Sequence, residues 1–346
     1  DMRALLSGYY GQGNGGDEAL LAPLLQMLPS SVTPVVLSGN PEETQQRYGV
    51  EACERKAFNT VMQALRSCDA FIWGGGSLIQ DSTSAISPFY YSGLMAIAQQ
   101  RKMKTVAWAQ GIGPLQRNAT KWLARQNYIG CTGVSVRDSV SAALLREWEV
   151  DHVLAPDPVW ALESRSVPGI WDTPAPRVAV TLRAHPELTP QRLGNLTKAL
   201  VDFQKATETF ILLIPFQESK DLPIAQIIQP ALKDVSKIIM EEDPIVLKGL
   251  YRGVEMTIGM RLHSLIMAAS EGSRCFALSY DPKINRLIEE LEIPGWDIDE
   301  LPDDPNVMST AWIEYFANGE ALSDDRIKFL TDRALIHKEV LQKALK

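Results

Sequence analysis

The sequence predicts an α/β protein with two doubly wound, Rossmann-like domains that face a cleft. Three observations predict this fold. Short apolar runs alternate with helix-length segments, several of these runs lead directly into glycine-rich turns, and a proline-rich stretch divides the alternation into two series. Repeated strand–helix units form parallel sheets covered by helices on both faces. We therefore expect an N-terminal domain at residues 1–165, a C-terminal domain at residues 166–320 and a C-terminal helix at residues 321–346.

The first series of apolar runs predicts the sheet of the N-terminal domain. These runs are almost continuously apolar, which is typical of strands that are buried on both faces. A helix is expected at Asp17–Leu28, after the first glycine-rich turn. The predicted strands are Arg3–Ser7, Val32–Leu37, Ala70–Trp73, Thr105–Trp108, Gly133–Val136 and Asp151–Leu154.

A linker is expected at Ala155–Arg177, where five prolines occur without helical periodicity. The alternation then begins again. Predicted strands of the C-terminal domain are Val178–Leu182, Phe210–Ile214, Ser236–Met240, Val254–Ile258 and Cys275–Ser279, and the predicted helices are Gln191–Thr207, His263–Glu271 and a last one at about Asp324–Leu345.

Length and composition limit the classes of function. A chain of 346 residues is long enough for two domains with cores of their own. Its net charge of −8, without a dense basic stripe, argues against a nucleic-acid partner. The four cysteines and four histidines are scattered, so the sequence predicts neither a disulfide framework nor a metal site. We expect no cofactor.

The location of the protein is predicted from what the sequence does not contain. The longest apolar runs are far shorter than a membrane-spanning helix, and we recognise no signal peptide at the start. The scattered cysteines fit a reducing compartment. We therefore expect a cytoplasmic protein, with peripheral contact to the inner membrane surface left open.

The first glycine-rich turn, Gly8–Asp17, follows a strand and begins a helix. It formally matches a dinucleotide-binding fingerprint, but the acidic residue expected after the second strand to bind a ribose is absent, which argues against NAD. Gly13 and Asn14 are predicted to form a wall of the cleft. Asp17 lies where it either caps the helix or faces a ligand, and the sequence leaves both open.

Two further turns follow strands of the same predicted sheet. Gly74–Gly76 are three consecutive glycines, with Gly75 and Gly76 placed to present backbone N–H groups to a ligand and Ser77 directly after them. The third turn begins at Gln110. Each turn alone is also explained as a tight connection, but three in equivalent places predict a binding surface.

Cationic side chains follow several of the strands. Arg137 follows a strand of the first domain and Arg183 a strand of the second, although an ion pair of Arg137 with Asp138 at the surface is the simpler explanation there. Arg261 and His263 lie at a strand-to-helix turn, where a guanidinium and an imidazole can form an anion site with a group that moves protons. Lys283 follows the next strand. A structural role for His263 is the alternative.

Seven motifs give the sequence a resemblance to the polysaccharide pyruvyl transferase family, most closely to its CsaB type. They span about residues 3–290, and the first and last two are the more specific. The motifs are Gly8–Leu21 (GYYGQGNGGDEALL), Trp73–Asp81 (WGGGSLIQD), Gln110–Pro114 (QGIGP), Ser135–Asp138 (SVRD), Pro215–Gln217 (PFQ), Gly259–Ile266 (GMRLHSLI) and Ser279–Lys283 (SYDPK).

The resemblance implies a GT-B-like fold and transfer of a pyruvyl group from phosphoenolpyruvate to a sugar as a cyclic ketal. For the CsaB type it implies a lipid-linked saccharide acceptor of the N-acetylmannosamine type, a precursor of a cell-wall polysaccharide used in S-layer anchoring. It also implies that Arg137, Arg261, His263 and Lys283 form the phosphoenolpyruvate and catalytic set, and that the loop of Asp17 faces the acceptor.

Two other functions remain open at this point. A glycosyltransferase of the same fold would hold the diphosphate of a nucleotide sugar with the turns of the second domain. A carbohydrate-binding protein without activity would keep the fold and lack the chemistry. The excess of cationic side chains favours a small donor that carries both carboxylate and phosphate.

Overall fold

The computed structural model describes residues 1–346 and consists of two compact units. The first unit contains residues Asp1–Gly13, Asp17–Leu162 and Phe329–Lys346, and the second contains Asn14–Gly16 and Glu163–Lys328. The chain therefore passes between the units inside the predicted linker. It also contributes a short segment of the first glycine-rich turn to the second unit.

Each unit contains one fully parallel sheet. The strands of the first sheet are β1 (Met2–Ser7), β2 (Val32–Ser38), β3 (Glu51–Glu54), β4 (Ala70–Trp73), β5 (Lys104–Gln110), β6 (Gly133–Val136) and β7 (Val153–Leu154). Those of the second are β8 (Arg177–Thr181), β9 (Phe210–Leu213), β10 (Ser236–Ile238), β11 (Met256–Gly259), β12 (Arg274–Ser279) and β13 (Gly295–Asp297).

The strand orders are those of doubly wound folds. The first sheet has the order β3-β2-β1-β4-β5-β6-β7 and the second β10-β9-β8-β11-β12-β13. The direction of winding reverses between β1 and β4 in the first sheet and between β8 and β11 in the second. Ligands of open α/β sheets bind beyond the carboxyl ends of the strands at such reversal points.

Fourteen α-helices connect the strands and end the chain. They are α1 (Gly15–Met27), α2 (Pro41–Tyr48), α3 (Phe58–Ser67), α4 (Ser87–Gln100), α5 (Asn118–Gly130), α6 (Ser139–Glu147), α7 (Pro190–Thr207), α8 (Glu218–Ile228), α9 (Pro244–Leu250), α10 (Leu262–Ser270), α11 (Pro282–Leu291), α12 (Pro305–Asn318), α13 (Asp324–Ala334) and α14 (Ile336–Ala344). No helix combines the length and the apolar character that crossing a bilayer requires.

The apolar strands predicted from the sequence form the centres of both cores. The four residues of β4 are completely buried, as are nearly all residues of β5 and β8. Side chains that a doubly wound sheet buries on both faces cannot alternate between apolar and polar, and this explains the continuous runs.

Two edge strands and the end of the chain differ from the sequence prediction. Strands β3 and β13 were not predicted, because edge strands that are half exposed carry no continuous apolar run. The single last helix predicted at about Asp324–Leu345 is wrong. A turn at Leu335 divides it into α13, which buries only Ala334, and α14, which packs a buried face against β5 and β6.

Candidate active site

Arg261 in the second unit is held by a buried carboxylate. Its Nη2 donates to Asp221 Oδ1 at 2.5 Å and its Nε to Asp221 Oδ2 at 3.2 Å, so the pair is bidentate. The Arg261 side chain is 12% exposed and that of Asp221 is fully buried. A rigid fork of this kind fixes the plane of the guanidinium. Arg261 therefore stands at the carboxyl end of β11 in one defined orientation.

The carboxylate of Asp221 also organises the turn after β9. Its Oδ2 accepts hydrogen bonds from the backbone N–H groups of Phe216 and Gln217 at 2.9 and 3.2 Å. The side-chain oxygen of Gln217 accepts a further bond from Arg261 Nη2 at 3.2 Å. One buried acid in the first turn of α8 thus connects the ends of β9 and β11.

His263 lies in the first turn of α10, two residues after Arg261, and is half-buried. The segment Asn14–Gly16 packs beside it. A Cβ atom on Gly16 would lie 3.5 Å from His263 Nδ1, and Gly15 N donates to Phe216 O at 2.8 Å. Asn14 pairs with Gln217 in an antiparallel bridge. The structure therefore brings Gly16 next to His263, although the two residues lie far apart in the sequence.

Arg183 follows β8, the neighbour of β11 at the reversal point of the second sheet. Its guanidinium lies 4.8 Å above the ring of Tyr280 and its Nη1 donates to the Tyr280 hydroxyl at 3.2 Å. The ring of His185 packs on Tyr280 from 5.1 Å. The planar guanidinium is therefore fixed by stacking, which an arginine achieves and a lysine does not.

Lys283 lies in the first turn of α11, after β12. Asp281 caps this helix, because its Oδ1 accepts the backbone N–H of Lys283 at 2.9 Å. The Lys283 residue is half-buried. Arg183, Arg261, His263 and Lys283 therefore all follow neighbouring strands of the second sheet, as the sequence predicts.

Arg137 belongs to the first unit, where it follows β6. The ion pair with Asp138 does not form, because Asp138 caps α6 by accepting Ser141 N at 2.7 Å. Arg137 Nη1 instead lies 3.5 Å from Asp157 Oδ2, and both side chains are more than nine-tenths buried. Its Nη2 donates to Ser77 Oγ at 3.3 Å.

Gly111 leaves the space that Arg137 occupies. A Cβ atom at this position would lie 3.1 Å from Arg137 Nε and 3.3 Å from Ser77 Oγ, closer than most carbon contacts. The backbone N–H of Arg137 also donates to Gln110 O at 3.1 Å. The glycine after β5 therefore serves a close approach of a cationic side chain and not only a tight turn.

Gln110 and the second glycine cluster form one structural unit. The amide nitrogen of Gln110 is buried and donates to Gly74 O at 2.7 Å and to Trp108 O at 2.9 Å. Gly76 pairs with Gln110 in a parallel bridge and has a φ of 128°, while a Cβ atom on Gly75 would meet the Leu20 side chain. The side chain of Gln110 thus points into the protein and fixes the turn.

Asp17 and its neighbour Glu18 lie in the first turn of α1 and belong to the first unit. Glu18 is buried and accepts hydrogen bonds from Gly11 N at 2.7 Å and from the Tyr48 hydroxyl at 2.6 Å. Burial raises the pKa of the Glu18 carboxyl. Glu18 therefore holds the turn, in which Gly13 has a φ of 70°. Asp17 is half-buried and remains the candidate for contact with a ligand.

A family comparison decides what these residues belong to. The family model described as polysaccharide pyruvyl transferase matches residues 14–282, which include Arg137, Arg183, Arg261 and His263. The chain belongs to the polysaccharide pyruvyl transferase family. It is therefore a transferase enzyme that acts in saccharide biosynthesis.

Solved structures show that this pyruvyl transferase has the GT-B type of fold, as the sequence predicts. A UDP-GlcNAc 2-epimerase of Neisseria meningitidis, solved with UDP-GlcNAc, has a TM-score of 0.65 at 11% identity over 99% of this chain and 100% of that one. A glycosyltransferase of Rickettsia africae has a TM-score of 0.55 at 13% identity over 100% and 97%. MurG of Acinetobacter baumannii has a TM-score of 0.51 at 12% identity over 98% and 95%.

Two acids that hold candidate site residues were not found from the sequence. Asp221 and Asp157 each hold an arginine of the predicted set, but both stand where an aspartate is also expected as a helix residue or cap. The PFQ motif at Pro215–Gln217 was a usable signal, because the Asp221 carboxylate binds the backbone of that motif.

Proposed function

We propose that this pyruvyl transferase uses phosphoenolpyruvate as donor and a lipid-linked saccharide of the N-acetylmannosamine type as acceptor. The product is a cyclic pyruvate ketal on a cell-wall polysaccharide precursor, and phosphate is released. The observation that carries the proposal is the arrangement of Arg183, Arg261 and His263 at the reversal point of the second sheet. It supplies two oriented guanidinium groups and one imidazole that can donate or accept a proton.

The donor is a small molecule with a carboxylate and a phosphate on adjacent atoms. Guanidinium groups bind both anions through paired hydrogen bonds. We assign Arg261 and Arg183 to this role, with Lys283 and Arg137 as further cationic groups. Because Asp221 accepts from one edge of Arg261, the ligand would meet the donors that this carboxylate leaves available.

The chemistry needs a proton on the methylene carbon of the enol. His263 would donate this proton, which makes the adjacent carbon electrophilic, and a first acceptor hydroxyl then forms a C–O bond there. Loss of phosphate breaks the original C–O bond, and a second hydroxyl closes the ketal. One hydroxyl proton replaces that on His263, and the other leaves with phosphate, so the reaction is balanced. General acid–base catalysis of this type contributes about 10²–10⁴-fold.

The acceptor side is proposed for Asp17, Gly13, Asn14 and the glycine turn with Gly75, Gly76 and Ser77. Since the acceptor is lipid-linked, we also propose that the enzyme works in the cytoplasm at the inner membrane surface. No cofactor takes part in this scheme.

The test is a steady-state assay of phosphate release with phosphoenolpyruvate and a saccharide-diphosphate-lipid analogue. We expect release only when both substrates are present, with mass spectrometry showing the ketal on the acceptor. UDP release from a UDP-sugar, with no reaction of phosphoenolpyruvate, would instead show a glycosyltransferase. Binding of the saccharide without any turnover would show a carbohydrate-binding protein.

A further inference from the structure

Besides Arg137, the first unit contains a buried arginine that has no acidic partner. Arg55 directly follows β3, and its backbone N–H donates to Ser38 O at the end of β2 at 3.1 Å. The residue is 7% exposed. It takes no part in the ion pairs of this unit, which involve other arginines.

Three tyrosines surround the Arg55 guanidinium. Its central carbon lies 5.4 Å from the ring centre of Tyr9, 5.1 Å from that of Tyr90 and 5.7 Å from that of Tyr91. Nη2 donates to the Tyr91 hydroxyl at 3.1 Å, while Nε is buried without a hydrogen-bond partner. We call these four residues the Arg55–tyrosine cluster. Aromatic faces stabilise the charge in part, but they accept no strong hydrogen bonds.

Another buried arginine shows what a purely structural role requires. Arg177 in the second unit also stacks on an aromatic ring, that of Trp171, at 5.1 Å. Its nitrogen atoms, however, donate to Thr173 Oγ1, Thr173 O and Gly253 O at 2.7–3.3 Å. Arg177 is therefore satisfied by its own chain. Arg55 is buried to a similar extent and also contacts aromatic rings, but its Nε donor has no acceptor, which is costly for a buried charge unless a ligand supplies one.

The position of the cluster fits a substrate site. Tyr9 follows β1 and Arg55 follows β3, so both lie at the carboxyl ends of the strands, where ligands of such sheets bind. Tyr9 is 42% exposed, which leaves one wall of the cluster open to solvent. Burial raises the pKa of the Tyr91 hydroxyl and the charge of Asp17 raises it further, so Asp17 shares this neighbourhood.

We propose that the Arg55–tyrosine cluster binds a phosphoryl group attached to the saccharide acceptor. This inference rests on the proposed function, which supplies a phosphorylated saccharide as the acceptor class. The phosphoryl oxygens provide the acceptor that Arg55 Nε lacks, and Tyr9 closes the cluster beside the phosphoryl group. The cluster thus selects acceptors by the charge next to the sugar.

The test compares two ligands that differ only in this charge. Calorimetry measures the affinity of a disaccharide 1-diphosphate and of the same disaccharide without phosphate, for wild type and for Arg55→Gln. We expect Arg55→Gln to weaken binding of the phosphorylated disaccharide by roughly 10- to 100-fold, the effect of one charged hydrogen bond, and to leave the neutral one unchanged. In turnover assays, KM for phosphoenolpyruvate stays the same.

A matched control separates binding from stability. Arg177→Gln removes an equally buried arginine with an aromatic neighbour, so it is expected to lower the melting temperature without changing the preference for the phosphorylated ligand. If Arg55→Gln does not fold, Tyr9→Ala serves as the second variant, because Tyr9 is exposed and its loss opens the cluster. It is expected to weaken binding of the phosphorylated ligand only.

An unchanged ratio of the two affinities in Arg55→Gln and in Tyr9→Ala would overturn the proposal and make the cluster a structural feature. The binding assay needs no turnover, so its failure can be distinguished from a failure of the proposed function. A wild-type protein that prefers the phosphorylated disaccharide but releases no phosphate from phosphoenolpyruvate would keep this site and contradict the proposed function.

Discussion

Replacing Asp221 by Asn tests the assignment of Arg261 most sharply. The side chain keeps its size, but it loses its charge, and one of its two oxygens becomes an NH2 group. That group faces donors, because Asp221 accepts from Arg261 and from the backbone N–H groups of Phe216 and Gln217. At least one of these bonds is therefore replaced by a contact between two donors.

The size of the effect follows from burial. The Asp221 side chain is fully buried and that of Arg261 is 12% exposed, so the variant leaves a nearly buried cation without its counter-charge. Removing one partner of a buried ion pair costs about 3–5 kcal/mol of the free energy of unfolding. For a unit of this size the melting temperature falls by roughly 10 °C. A guanidinium that is no longer held in one plane reduces kcat/KM for the donor by up to about 100-fold.

The assay pairs this variant with Asp243→Asn in the same unit. Asp243 caps α9 and, like Asp221, pairs with an arginine. Its partner Arg165 lies 3.6 Å away, but the Arg165 side chain is 67% exposed. We expect Asp243→Asn to lower the free energy of unfolding by about 1 kcal/mol and to leave donor kinetics unchanged. Melting curves and phosphate release are measured for both. Equal losses in the two variants, or wild-type kcat/KM in Asp221→Asn, would show that the Asp221 carboxylate does not position Arg261 for the donor.

Three further predictions address other parts of the enzyme. His263→Ala is expected to abolish ketal formation while the circular dichroism spectrum and melting temperature stay near wild type; ketal formation at a normal rate would exclude the acid–base role. Gly111→Ala displaces Arg137 and is expected to lower kcat/KM for the donor roughly tenfold, whereas Gly194→Ala, which has open space around it, leaves the rate unchanged. Burial lowers the pKa of His337 from 6.5 to about 4, so the unfolded chain binds a proton in this interval that the folded chain does not. The contribution of His337 to the free energy of unfolding is therefore fully present above pH 6.5, and roughly 3 kcal/mol of it is lost as the pH falls to 4. Urea unfolding at several pH values should show a flatter dependence of this free energy on pH for His337→Phe.

The sequence predicted the central strands and the cationic residues because both signals are local. A strand buried on both faces is apolar throughout, and Arg261 and His263 stand in one short turn directly after such a strand. Edge strands such as Glu51–Glu54 lack this pattern, because half of their surface meets water. Their pairing is decided by the neighbouring strand and not by their own residues.

The partners of the cationic residues could not be predicted, since they come from distant positions. Asp221 lies 40 residues before Arg261, and Tyr90 and Tyr91 lie about as far after Arg55. Each of these residues has an ordinary explanation in its own helix. Only the sheet topology brings the strand ends together and shows which charges are paired.

In the proposed reaction the enzyme protonates an enol phosphate and transfers its pyruvyl group as a ketal. The most direct measurement is the reaction of phosphoenolpyruvate with the saccharide-diphosphate-lipid analogue in D2O, followed by phosphate analysis and by NMR of the product. We predict one phosphate for each ketal and one deuterium in the new methyl group. Phosphate release without a ketal, or a product whose methyl group contains no deuterium, would exclude this reaction.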